Sequence, residues 1–158
     1  MKIYLASPLG FSETTKDFME KLENKLKSLG FEVLNPWGFF PDGQIEKVMG
    51  IKNQSDRKKA LHVLNLEIAQ CNEQAIKKCD IIFSVLDGSD VDSGTASEIG
   101  FGYAIGKKII GYRGDFRLSG ENEGSLINLQ VQYWIEKSGG CIIRKASEIE
   151  SVLHPLRS

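Results

Sequence analysis

The segment Asp87-Gly88-Ser89-Asp90-Val91-Asp92-Ser93-Gly94-Thr95-Ala96-Ser97-Glu98 gathers four carboxylates with no lysine or arginine among them. Such crowding is costly unless hydrogen bonds, a cation or a polyhydroxylated ligand offsets it. Three chemistries fit these residue types. An ionised carboxylate, Glu98 for choice, can attack an anomeric carbon. The clustered carboxylates can together meet a polyhydroxylated ligand. Asp87, Asp90 and Asp92 together could offer oxygen ligands to Mg²⁺. The metal reading is the weakest, because no phosphate-binding glycine-rich loop or nearby lysine accompanies it; no metal and no cofactor is expected. The lack of basic residues also disfavours a phosphorylated substrate and fits a neutral nucleoside better. Gly88 and Gly94 permit tight backbone close to a ligand.

Each of these residues also has a plainer reading. Thr95-Ala96-Ser97-Glu98 matches a capping box with Thr95 as N-cap, which accounts for Glu98 as well as catalysis does. The two readings are compatible, since a helix N-terminus also favours the ionised carboxylate. Asp87 and Asp92 could be ordinary solvated loop residues or Asx turns.

The elements that must position this segment are legible as alternating strands and helices. Ile3-Tyr4-Leu5-Ala6 reads as a buried first strand. Ser12 can cap a helix carrying Phe18, Leu22, Leu26 and Leu29, stopped by Gly30. A second strand spans 31–34 and ends at Asn35-Pro36. From Trp37 to about Gln54 no period is sustained, and a long loop rich in aromatics is expected, either functional or packed on itself. A helix over about 56–78 follows, with Leu61, Leu64, Ile68 and Ile76 inward. The run 80–87 is nearly all apolar, as a central parallel strand should be. A helix over 95–105, with Gly106 at its C′ position, leads to a fourth strand at 108–112. A fifth strand spans 141–143, and Ser147 with Glu150 fits a capping box that opens the last helix.

This order predicts an α/β fold: a doubly wound, five-stranded parallel sheet of flavodoxin-like order 2-1-3-4-5, helices on both faces, in one domain over residues 1–158. Ligands bind such sheets at the carboxyl ends of strands 1 and 3. Candidate substrate contacts are therefore Ser7, Leu9 and Phe11 after strand 1, and Asp87, Gly88, Gly94 and Thr95 after strand 3. Trp37, Phe39 and Phe40 are candidates for stacking a base or lidding the site, with core packing as the alternative.

The chain has 158 residues and a formal net charge of −1, its charges interspersed. Neither a nucleic-acid footprint nor a membrane surface is indicated. Cys71, Cys79 and Cys141 lack metal-ligand spacing and are expected to be buried thiols. A strand-like run starts at Lys2, and no apolar stretch is long enough to span a bilayer, so a cytoplasmic location is expected.

The stretch from Asp80 to Lys107, with its Asp-Gly, Asp-Ser-Gly-Thr, Glu-Ile-Gly and Tyr-Ala-Ile-Gly-Lys, resembles the nucleoside 2-deoxyribosyltransferase family, as does Lys2-Ile3-Tyr4-Leu5-Ala6-Ser7-Pro8. The Asp-x-Gly-Thr-x-x-Glu-x-Gly core is the specific part. The resemblance implies that Glu98 displaces the base of a 2′-deoxyribonucleoside and forms a covalent deoxyribosyl-enzyme. It implies that Asp92 binds the sugar near its 5′-hydroxyl and that Tyr4 orients the nucleophile. Asn128 resembles an asparagine supplied by a neighbouring subunit, which implies a homo-oligomer. The partners implied are a 2′-deoxyribonucleoside and a free purine or pyrimidine base. One position departs from many members: Asn72 stands where an aspartate can help protonate the base, and an amide cannot act as a general acid. Its plainer reading is a solvated helix residue. A deoxynucleoside 5′-monophosphate N-glycosidase is similar too, but tends to carry serine where this chain has Asp92, which would repel a phosphate. A non-catalytic nucleoside-binding module and a Mg²⁺-dependent phosphohydrolase stand as alternatives from other classes.

Overall fold

The computed structural model describes residues 1–41 and 43–157. Its five strands, β1 (Lys2–Ala6), β2 (Glu32–Leu34), β3 (Ile81–Val85), β4 (Lys108–Tyr112) and β5 (Ile142–Ile143), are all parallel and lie in the order 2-1-3-4-5. The helices are α1 (Glu13–Ser28), α2 (Gln44–Met49), α3 (Gln54–Lys78), α4 (Ser93–Ala104), α5 (Leu129–Lys137) and α6 (Ile149–Leu153). The expected sheet and its order are thus found.

The period-two alternation of strand side chains divides the core into two layers. Ile3, Leu5, Ile81, Phe83 and Val85 face α1 and α6, where Leu22, Leu26, Ile149 and Leu153 complete a cluster. Tyr4, Ala6 and Ile82 face the other way, onto Ile76 of α3, Ile99 of α4 and Ile135 of α5. Residues 81–85 are buried throughout, because helices cover both faces of this central strand. Register sets Tyr4 beside Ile82 on one side and Leu34 on the other. A tyrosine hydroxyl therefore enters the layer shared by α3 and α4.

Several local expectations are corrected. The stretch 37–54 is not one long loop: it holds a 3-10 turn at Pro36–Gly38 and the short helix α2, while residue 42 lies outside the described residues. A single six-residue helix is too short to show a period. Helix α3 starts at Gln54 rather than 56, because Asn53 caps it by accepting the N–H groups of Ser55 and Asp56 at 2.9 and 3.2 Å. Ser12 does sit at the N-cap of α1 but makes no capping bond; its hydroxyl meets that of Thr14. Ser147 and Glu150 form no capping box. Glu148 takes that role by accepting the N–H groups of Arg144 and Lys145, and Glu150 pairs with Lys25 instead. All three cysteines are free thiols, but only Cys79 is buried; Cys71 is exposed. Among the described residues no helix is long and apolar enough to cross a membrane.

Candidate active site

At the carboxyl ends of β1 and β3 the turn into α4 is fixed by Asp92. Its Oδ2 accepts the Thr95 N–H at 3.0 Å and lies 3.3 Å from the Thr95 hydroxyl. Asp92 is therefore the N-cap and Thr95 the third helical residue. The capping box expected from Thr95 to Glu98 does not form. Glu98 lies in the second turn, beyond the frayed N–H groups that a capping carboxylate would serve.

Glu98 instead turns into the layer between α4 and the sheet. The Tyr4 hydroxyl donates to Glu98 Oε1 at 2.6 Å, and Asn72 Nδ2 of α3 lies 3.5 Å from the same oxygen. Asn72 is thus not a solvated helix residue; it faces the carboxylate as a long, weak donor. Among the described residues Oε2 accepts no hydrogen bond, which leaves that oxygen for another partner.

Burial dominates the electrostatics here. It pushes Glu98 up to about 7; the Tyr4 hydrogen bond acts in the opposite sense, and the nearby Asp92 charge adds to the rise. The expectation of a carboxylate kept ionised by the helix terminus is corrected: one turn inside the helix, desolvation outweighs the dipole, which fades within the first turn. Tyr4 is raised well above the phenol range, by burial first and then by Glu98, so it stays protonated and donates.

The other candidates divide into those tied up within the protein and those facing outward. Ser7 Oγ accepts the Leu9 N–H at 3.1 Å, and its carbonyl accepts from Trp37 Nε1 at 3.0 Å. The Trp37 indole lies against Gly10, where even a Cβ would come within 2.1 Å of the ring. Leu9 does not point into the site; it is buried in the α1 layer. Phe11 is 77% exposed and meets Trp37 edge to face at 4.6 Å. Asp87 is engaged within the protein through Oδ1, which accepts the Asp115 N–H at 2.8 Å. Asp90 accepts the N–H of Val91, so the loop carboxylates serve separate backbone groups. Among the described residues no three His, Cys, Asp or Glu side chains converge as a metal site. Gly88 takes a φ of +132°, which only glycine adopts readily. Gly94 lies beside the Asp92 carboxylate, and a Cβ there would sit 3.1 Å from Oδ2.

Phe39 and Phe40 line a concavity with Pro41, Gln44 and Lys47, and Phe39 also fronts a cavity of about 510 Å³ beside Leu34, Gln70, Cys71 and Gln74. Glu98 lines neither of them. Asn128 caps α5, accepting the N–H groups of Gln130 and Val131, and donates to Glu121 Oε1 at 2.8 Å. Within one chain its amide is thus engaged away from Glu98. Sequence reasoning missed Arg113, which is completely buried and donates into the backbone of the acidic loop. Its place directly after a strand, at the ligand-binding edge, was the available signal.

Comparison with known proteins bears on the family and the fold. The family model described as nucleoside 2-deoxyribosyltransferase matches residues 3–130. Among solved structures, a 2-deoxyribosyltransferase from Leishmania mexicana superposes with a TM-score of 0.67 at 20% identity, over 96% of this chain and 95% of that one. A 2-deoxyribosyltransferase from Bacillus psychrosaccharolyticus gives 0.58 at 23% identity, over 95% and 90% of the two chains. A CMP N-glycosidase from Clostridium botulinum gives 0.57 at 25% identity, over 99% of each. No curated protein matches the chain significantly.

Proposed function

The chain belongs to the nucleoside 2-deoxyribosyltransferase family, and we propose that it breaks the N-glycosidic bond of a 2′-deoxyribonucleoside by attack of Glu98 and passes the sugar to another base. The observation that carries this reading is the Glu98 carboxylate, half-buried, with one oxygen held by Tyr4 and the other open. Oε2 attacks C1′ through an oxocarbenium-like transition state, and the bond to the base nitrogen breaks as the ester to Glu98 forms. The Tyr4 hydrogen bond orients the carboxylate and stabilises its charge. A second base, or water, then attacks C1′ from the face the first base left, releasing Glu98 with net retention. Asp92, whose Oδ2 is engaged in capping, offers Oδ1 to a sugar hydroxyl. Asn72 can donate to the carboxylate but not protonate the base, so the proton on the leaving base comes from solvent. Asn128 reaches a sugar only if a neighbouring copy donates it, so the complete site is proposed to be that of a homo-oligomer.

Glu98 attacks only when ionised. With its proton held up to about 7, kcat/KM rises with pH and levels off above that value. Incubation with deoxyinosine and adenine, followed by chromatography of the bases, tests the reading. Deoxyadenosine formation supports transfer, and absence of turnover with all four common deoxynucleosides would leave a binding module as the better account.

The similarity to the CMP N-glycosidase favours a second reading, in which water is the acceptor. Free hypoxanthine without deoxyadenosine would establish it, and a faster reaction with the 5′-monophosphate than with the nucleoside would extend it to nucleotides. The carboxylate of Asp92 argues for the nucleoside.

A further inference from the structure

The chains leaving β3 and β4 are tied together by side chains once the sheet ends. Backbone pairing runs one residue past the strands, where the Leu86 N–H donates to the Tyr112 carbonyl at 2.8 Å. Arg113 then spreads its guanidinium over three main-chain oxygens. One η-nitrogen donates to the Leu86 carbonyl; the other donates to Gly88 at 3.2 Å and to Arg117 at 2.8 Å. From the opposite direction Asp87 accepts the Asp115 N–H. Residues 86–88 and 113–117 are thereby clamped from both sides.

The guanidinium is hydrogen-bonded to carbonyls alone, with the Asp115 carboxylate close enough to feel its charge, and an apolar residue of similar volume is often as stable as such a buried charge or more so. Here Nε finds no partner among the described residues, so even hydrogen bonding is incomplete. What the guanidinium adds is a fixed spacing between three carbonyls. That spacing sets the course of the chain into Gly88, whose positive φ a side chain would strain and whose Cβ would come within 3.0 Å of the Asp90 carbonyl. Four residues further, Asp92 caps the helix that carries Glu98.

We propose that Arg113 is a positioning residue that fixes the 86–92 loop and so places Asp92 for the sugar, an inference that rests on the reading of Asp92 given above. It acts through geometry. Burial, Tyr4 and Asp92 account for the proton affinity of Glu98, without a contribution from Arg113. Loss of the clamp therefore changes where the sugar is held, and reaches the proton affinity of Glu98 only through the displaced Asp92 charge.

Arg113→Met, Arg113→Lys and Asp87→Ala test this, using hydrogen–deuterium exchange and initial rates with deoxyinosine and adenine. In Arg113→Met the hydrogen-bonded amides of Leu86, Val91 and Asp115 are expected to exchange about tenfold faster or more, with β1 and β3 unchanged. KM for deoxyinosine is expected to rise about tenfold, with kcat within about threefold and the acid limb moving down by less than it does in Asp92→Asn. Arg113→Lys falls between wild type and Met, and Asp87→Ala moves both readouts the same way by less. Unchanged loop exchange, or faster exchange with unchanged KM, would overturn the proposal. Should Arg113→Met not fold, the other two variants decide on the same readouts. A wild type inert toward deoxynucleosides overturns the functional reading instead, and loop exchange then still decides whether Arg113 holds the loop.

Discussion

The floor of the site and its outer flank are built differently. Beneath Glu98 the side chains of Tyr4, Ile82 and Ile99 are fully buried, in register across two parallel strands and one helix. Beyond β2, the stretch 36–53 and the first half of α3 leave Ile45, Met49, Val63 and Leu66 each more than half exposed. Tyr4 and the Glu98 carboxylate it bonds are held in a packed layer where a shift would displace many neighbours. The aromatics that could meet a base lie in a segment with few buried contacts, which can adjust to its ligand at low cost. Chemistry is thus expected to be fixed by the floor and base preference by the flank.

The sharpest challenge to that division is removal of the proposed nucleophile. Glu98→Gln is expected to lower turnover at least about 10³-fold while the protein becomes more stable at neutral and higher pH. A carboxyl whose folded proton affinity is raised from the ordinary 4.5 to about 7 binds more protons in the native state than in the unfolded one across that window. Native stability accordingly falls as pH rises from about 4.5 and levels off above about 7, a loss of about 3 kcal/mol that Gln avoids. Thermal unfolding across pH checks this: the difference from wild type should vanish below about pH 4.5, grow between 4.5 and 7, and be complete above 7. Equal stability at pH 8 would contradict a buried carboxylate whose charge is disfavoured by desolvation.

Tyr4→Phe leaves the floor packed but removes the donor to Glu98. A fall in kcat of about ten- to a hundredfold is expected, with the acid limb moving upward, because the lost bond favoured the charged form. Asp92→Asn should move that limb downward, since the charge that raises Glu98 is gone, while KM for the nucleoside rises about tenfold. Asparagine caps helices as well as aspartate, so stability should change by only a few tenths of a kcal/mol. Opposite shifts from these two neighbours would sharpen the account of the floor; shifts of the same sign would break it. On the flank, Phe40→Ala should raise KM about threefold for one base more than another and leave the acid limb alone. Unchanged affinity for every base would remove Phe40 from the site.

The sheet order and the two core layers were legible because β3 is apolar on both faces and α1 shows a clear helical period. The position of Glu98 within its helix was not, because Asp92 and Thr95 both suit an N-cap and only backbone geometry chooses between them. The titration of Glu98 was equally hidden. A glutamate three residues after a threonine looks solvated in one dimension, whereas its burial depends on Tyr4 and Asn72, which come from β1 and α3. Arg113 escaped notice for the same reason: its partners Leu86 and Gly88 are distant in sequence. Tertiary placement, which no local pattern encodes, decides all three.

The central claim is a covalent deoxyribosyl-Glu98. Wild-type protein mixed with deoxyinosine in the absence of an acceptor base, quenched in acid within a turnover and analysed by peptide mass spectrometry, tests it directly. The account predicts one deoxyribosyl group on the peptide containing Glu98, lost when adenine is added before the quench. Full turnover in Glu98→Ala, with no adduct on the wild type, would contradict it.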